Sequence, residues 1–157
     1  MRLTNQTNYA VRVLMYCATK DGAATVGEIA EFYRLPQAFL AKIAKTLTGG
    51  GFLVAQRGRK GGIRLARPAE DIRLGEVVRA TEAGFDLAEC FRDGDVTCPL
   101  TQTCGLNQTL HEALDAFLAV LDSRTIADLT SQRHNINVLQ QLHEARREPL
   151  REPLAVA

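Results

Sequence analysis

Apolar residues recur at helical spacing through most of the first fifty positions, and the breaks between the periodic stretches carry turn and capping residues. Tyr9, Val11, Val13, Leu14, Met15 and Ala18 make a mostly apolar first helix, with Thr4 or Thr7 as its cap and Gly22 beyond its end. In "TVGEIAEFYRL", Thr25 and Glu28 stand at capping-box spacing, and Ile29, Ala30 and Phe32 form the apolar side of a short second helix. Leu35-Pro36 breaks it, and Pro36 suits the first turn of a third helix, "PQAFLAKIAKTLTGGG". There Phe39, Leu40, Ile43 and Leu47 recur at helical spacing, three glycines end the run, and Gln37, Lys42 and Lys45 occupy the other face. Two helices of this size joined by a tight break have the proportions of a helix-turn-helix, whose second helix offers polar and basic side chains to the major groove.

The period then changes. "FLVAQRGRKGGIRLARP" reads as an apolar strand, a basic glycine-containing tip and a second strand with alternating Ile63 and Leu65, so it predicts a β-hairpin bearing five basic residues. Gly58, Gly61 and Gly62 are expected to let the tip take positive φ and approach a surface, with Arg57, Arg59 and Lys60 as donors to phosphates or a narrow minor groove. A hairpin directly after a helix-turn-helix is a wing.

Further on, "TLHEALDAFLAVLDS" places Leu110, Ala113, Leu114, Phe117, Leu118 and Leu121 on one face and Glu112, Asp115 and Asp122 on the other, an amphipathic helix of about four turns. That stripe is expected to cross a twin helix in a twofold homodimer, the alternative being packing against the first helix of its own chain. "TIADL" begins a shorter helix capped by Ser123 or Thr125, whose tip can reach the DNA-binding module. The expected fold is mainly α with a small β-hairpin wing: a winged helix-turn-helix domain plus a long dimerisation helix. Its divisions are residues 1–82, a cysteine-rich loop over 83–106, dimerisation helices over 107–142 and a tail over 143–157, where "REPL" repeats and order is expected to fail.

Composition adds two constraints. At 157 residues and 46% hydrophobic, the chain can bury one core, or one small core plus a helical arm. No run approaches the ~20 apolar residues of a spanning helix, and the start lacks the features of a signal peptide, so the expected location is cytoplasmic, with no membrane partner. The net charge of +1 conceals an asymmetry: residues 1–67 carry +8 and the remainder −7. A basic first half attracts a polyanion, which makes double-stranded DNA the leading partner, with an ordinary solvated surface as the bland alternative. Gln37, Lys42 and Lys45 are the candidates for the major groove and its phosphates, Arg57, Arg59 and Lys60 for the wing, and Arg2 for a further phosphate.

The chemistry sits in "AECFRDGDVTCPLTQTCG", where Cys90, Cys98 and Cys104 follow a C-x7-C-x5-C spacing. In a reducing compartment, closely spaced thiols point to metal binding rather than a disulfide framework. Thiolates favour iron–sulfur centres, and three in a polar loop can hold three irons of a cubane. Structural zinc would want a fourth ligand at compact spacing, and the nearest histidine, His111, lies seven residues beyond Cys104; zinc and an inert thiol trio stay open. Cys17, in an apolar helical pattern, reads as packing. No G-x-S-x-G elbow, H-E-x-x-H pair or phosphate loop is present, and His111, His134 and His143 are scattered, so catalysis and a small-molecule substrate are not expected. Electron transfer has no use for a basic wing.

Taken together, "MRLTNQTNYAVRVLMYCA", "LAKIAKTLTGGGFLVAQRGRKGGIRLARP" and the three-cysteine segment resemble the Rrf-type family of winged-helix iron–sulfur transcription regulators, over Met1 to about Leu142. Within it, the cysteine segment looks most like the rhizobial iron regulators, since the nitric-oxide sensors and cluster-biogenesis regulators of the family have a shorter first gap. The resemblance implies a [4Fe-4S] cluster on Cys90, Cys98 and Cys104, with [2Fe-2S] or [3Fe-4S] as degraded forms, and a repressor of iron-uptake genes released by iron starvation. Nitric oxide or oxidant is the alternative signal. In the nitric-oxide sensors an aspartate on the partner's first helix completes the cluster with an arginine one turn on; those positions here are Asn8 and Arg12. The biogenesis regulators use a histidine where this chain has Asn107. The expectation is one iron held loosely by solvent, Asn8 or His111.

Overall fold

A computed structural model describes residues 2–58, 61–91, 98–100 and 103–131. Helix α1 (Asn5–Thr19) is the central element: Ala10, Val13, Leu14, Tyr16 and Cys17 are buried along it, and Thr4 is its cap, accepting the Thr7 N–H. The other cap candidate, Thr7, is itself buried and turned inward, where its hydroxyl bonds that of Thr81 at 2.8 Å.

Helix α2 (Val26–Tyr33) begins with the expected capping box, Thr25 and Glu28 each satisfying the other's backbone N–H. Helix α3 (Gln37–Gly49) starts one residue later than the proline suggests, Pro36 serving as its cap residue. Its end is set by Gly51, at φ +74, with the Phe52 N–H closing back onto the Leu47 carbonyl. Leu40, Ile43, Ala44 and Leu47 of α3 pack into the same core as Ile29 and Ala30.

Strands β1 (Leu53–Gln56) and β2 (Gly62–Leu65) pair antiparallel with Leu53 opposite Leu65 and Gln56 opposite Gly62. The hairpin is riveted to the helices by two hydrogen bonds between Ala24 and Ile63, both 2.8 Å. The three tip glycines play different parts. Gly58 and Gly62 take the positive φ expected of the tip (+113 and +159), whereas Gly61 does not; Gly61 and Gly62 are also needed for space, since a Cβ at Gly61 would lie 2.6 Å from the Gln56 carbonyl, and one at Gly62 2.5 Å from that of Ala24.

One helix was not anticipated from the pattern. Helix α4 (Leu74–Thr81) buries Leu74, Val77, Val78 and Thr81, a short run at helical spacing with no side-chain cap to announce it. It ends on Glu82, whose carboxylate accepts from the Thr4 N–H (2.8 Å) and from the hydroxyls of Thr4 and Thr7. Partial burial raises that carboxyl's pKa, but these bonds outweigh it and hold the group below the usual carboxylate value.

Helix α5 (Gly105–Asp122) runs longer than expected and begins at once after Cys104. At 18 residues it is ~27 Å long. None of its residues is buried: Leu110, Leu114, Phe117, Leu118 and Leu121 are only half-covered, Ala113 is exposed, and Leu106 and Val120 are 65% and 62% exposed. Its C-terminal end is fastened, since Arg79 grips the Asp122 carboxylate through two 2.7 Å bonds and Arg73 donates to the Asp122 carbonyl at 2.8 Å. The chain then returns: Leu74 N–H donates to the Arg124 carbonyl and Ile126 N–H to that of Ile72, each at 2.9 Å. Helix α6 (Ile126–Ser131), capped by Thr125 with Asp128 in reciprocal hydrogen bonds, places Ile126 in the core beside α1. Among the described residues no helix is long and apolar enough to cross a membrane.

Candidate functional site

Two regions carry the candidate residues. On the first, the buried face of α3 leaves Gln37, Ala38, Ala41, Lys42, Lys45 and Thr48 exposed along one side. Gln37, Lys42 and Lys45 therefore share the outward surface of the helix after the tight turn, the geometry of a recognition helix. Arg57 is exposed where β1 runs into the tip, while Arg59 and Lys60 lie outside the described residues. Arg2 lines a different feature, a cleft of about 110 Å³ shared with Glu82, Gly84, Phe85 and Asp86. Arg34, which the sequence reading passed over, is exposed in the turn between α2 and α3.

The second region is the cysteine loop. Cys90 lies in a short 3₁₀ turn, Glu89–Phe91, and Cys104 is the cap residue of α5, with no side-chain capping bond of its own. That puts Cys104 at the positive end of the helix dipole, a position suited to a negatively charged ligand group. Cys90 and Cys104 are half-buried and Cys98 is exposed. The two ends of the loop are brought together by an aromatic contact: the Phe91 ring, next to Cys90, stacks on His111 of α5 with centroids 4.0 Å apart and planes 14° from parallel. His111 Nδ1 lies 2.9 Å from the Asn107 carbonyl, which can only accept, so that nitrogen is the donor there. Cys17 stands apart, buried on the inner face of α1 with its thiol pushed up to about 12 by desolvation, as expected of a packing residue.

In kind, three thiols and an imidazole match the donor set of an iron centre. In placement they are not gathered: among the described residues no three His, Cys, Asp or Glu side chains lie close enough to hold one metal. The links between the cysteines, 92–97 and 101–102, fall outside the described residues. Asn8 and Arg12 sit on α1, away from helix α5's first turn, lining a groove of about 250 Å³ with Leu3, Val11, Leu74, Val78, Leu121 and Leu129. Arg12 stacks over Tyr9 and Tyr33, at 5.5 and 5.8 Å from the ring centroids. His134 and His143 lie outside the described residues, as do 132–157 as a whole.

The Rrf2 family profile, described as iron-dependent transcriptional regulator, matches residues 3–132. The chain belongs to the Rrf2 family. Protein aau3 of Rhizobium meliloti (strain 1021) is 50% identical over 145 residues, covering 92% of this chain and 94% of its own. The HTH-type transcriptional regulator NsrR of Bacillus subtilis (strain 168) is 41% identical over 146 residues, covering 92% of this chain and all of its own. Among solved structures, CymR, the global cysteine regulator of B. subtilis, superposes with a TM-score of 0.67 at 22% identity, over 83% of this chain and 97% of its own. As an Rrf2 member the protein is a DNA-binding transcriptional regulator and not an enzyme. The winged-helix architecture expected from the sequence is the one this Rrf2 chain has.

Proposed function

We propose that this Rrf2 protein is a cytoplasmic homodimeric repressor of iron-uptake genes whose DNA affinity depends on a labile [4Fe-4S] cluster held by Cys90, Cys98 and Cys104. The observation that carries the reading is the seating of the cysteines between the end of α4 and the start of α5, Cys104 at the α5 terminus and Cys90 beside the Phe91–His111 stack. The iron dependence in the family description points the same way. A bound cluster supplies an iron-dependent tie among the three thiols. The chain's own residues turn that tie into geometry: Glu82 joins the end of α4 to the start of α1, and the Arg79–Asp122 pair joins α4 to the end of α5. Through a shared cluster, Cys90 and Cys104 would fasten the near end of α5, whose far end is already held by Arg79 and Arg73. The half-covered stripe of α5 pairs with its twin, and residues 107–142 set the spacing of two domains, each formed by residues 1–82, over half-sites about one DNA turn apart.

His111 is favoured over Asn8 and solvent as the fourth ligand. Its Nδ1 is occupied by a backbone carbonyl, the arrangement usual for an imidazole that binds metal through Nε2, and its ring stacks on Phe91, the residue that follows Cys90. His111→Ala is expected to leave the helix folded and to speed iron loss to a mild chelator by about tenfold, the scale for losing a ligand or its support. Unchanged loss in that variant returns the choice to Asn8 or solvent.

The main test is anaerobic purification followed by native mass spectrometry, absorbance and DNA binding on one sample, before and after a mild chelator. A dimer carrying [4Fe-4S] that loses iron and releases DNA together is the expected result. A colourless zinc protein that binds DNA equally with and without chelator removes the sensor. The 41% identity to an NsrR regulator favours a second reading, nitric oxide or oxidant acting on the same cysteines; DNA release by nitric oxide at iron levels where chelator is inert would select it.

A further inference from the structure

Arg34 occupies a backbone conformation that its side chain makes unfavourable. It has φ 54 and ψ 48, and it is the non-glycine residue with positive φ among the described residues. The turn closes α2 through main-chain atoms alone: the Arg34 N–H donates to the carbonyls of Ala30 and Glu31, and the Leu35 N–H donates to that of Ala30 at 2.9 Å. Glycine meets all of these requirements without the Cβ conflict of the left-handed region. The side chain therefore does nothing for the turn that glycine would not do better. It is exposed, and none of the ion pairs among the described residues includes it.

Its place in the fold supplies a reason for keeping it. Arg34 stands three residues before Gln37, at the end of α3 that enters the major groove in this class of DNA-binding unit. A guanidinium on a long exposed stem at that edge is within the class of side chains that bind phosphate, and strain retained at one residue marks a function more often than an accident. We propose that Arg34 contacts a DNA phosphate beside the entry of α3, a contact outside both the recognition face and the wing. The proposal rests on reading α3 and the hairpin as the DNA-binding surface.

The test uses anaerobically purified wild type, Arg34→Gly, Arg34→Lys and Arg57→Ala. Each is titrated by fluorescence anisotropy against a labelled duplex enriched in vitro by the wild type, over a range of roughly 50–300 mM salt. Arg34→Gly is expected to unfold a few degrees higher than wild type, because the turn relaxes. It should nevertheless bind about five- to tenfold more weakly, with the slope of log affinity against log salt shallower by about one. Arg34→Lys should keep the wild-type slope. Because glycine preserves the turn, weaker binding cannot be blamed on misfolding. Wild-type affinity and slope in Arg34→Gly overturn the proposal, and so does weaker binding with an unchanged slope. If Arg57→Ala binds like wild type while Arg34→Gly is weakened, the wing assignment fails and Arg34 stands. Absence of any salt-dependent binding by the wild type sinks both.

Discussion

Replacing Cys98 with alanine is expected to yield a folded, colourless protein whose affinity for a selected duplex is about a hundredfold or more below wild type, near the non-specific level. The variant should fold because Cys98 is exposed and lies outside the core built by α1 to α4, so its thermal midpoint should move little. Binding should fall because two thiols do not replace three in holding a cubane, and the tie between the loop and α5 goes with the cluster. Iron and sulfide analysis together with anisotropy on one anaerobic sample checks both halves. Full affinity in a cluster-free variant contradicts the coupling and leaves a winged-helix protein whose cysteines do something else.

Gly62→Ala should be a damaging single methyl in the hairpin. Its Cβ would stand 2.5 Å from the Ala24 carbonyl oxygen and 2.8 Å from the carbonyl carbon, main-chain atoms that cannot swing aside. Relief requires β2 to move off Ala24, which loosens the two Ala24–Ile63 hydrogen bonds that fasten the wing. Overpacking of this kind costs about 1–3 kcal/mol. For a chain of this length that lowers the thermal midpoint by roughly 3–10 °C. DNA affinity should drop by about tenfold as Arg57 loses its fixed position. Gly49→Ala is the control: it meets nothing within 4 Å, sits in the last turn of α3, and should be neutral or slightly stabilising. Equal midpoints for Gly62→Ala and wild type would show that the wing is not anchored through Ala24.

Much of the helix-turn-helix and hairpin was legible from the chain itself. The Thr25–Glu28 box, the Gly51 stop and the alternation at Ile63 and Leu65 all act over at most five residues, so the residues that decide them are neighbours in sequence. The C-x7-C-x5-C spacing was equally plain, and it nominated the cysteines without saying how they are held. The eight-residue α4 was not legible, because it has no side-chain cap and owes its burial to Ile72 and Leu74 pairing with a segment some fifty positions later.

By itself, then, the sequence determined the helices with caps, the basic hairpin and the donor set in the loop, since periodicity, capping and ligand chemistry are properties of short windows. Only the tertiary structure decided that Thr7 turns inward to Thr81, that Gly62 is a matter of space against Ala24, that His111 lies on Phe91, and that α5 keeps its apolar stripe half-uncovered. Each of these depends on elements distant in the chain meeting at a definite angle. That meeting is set by how the whole core packs, and no local pattern encodes it.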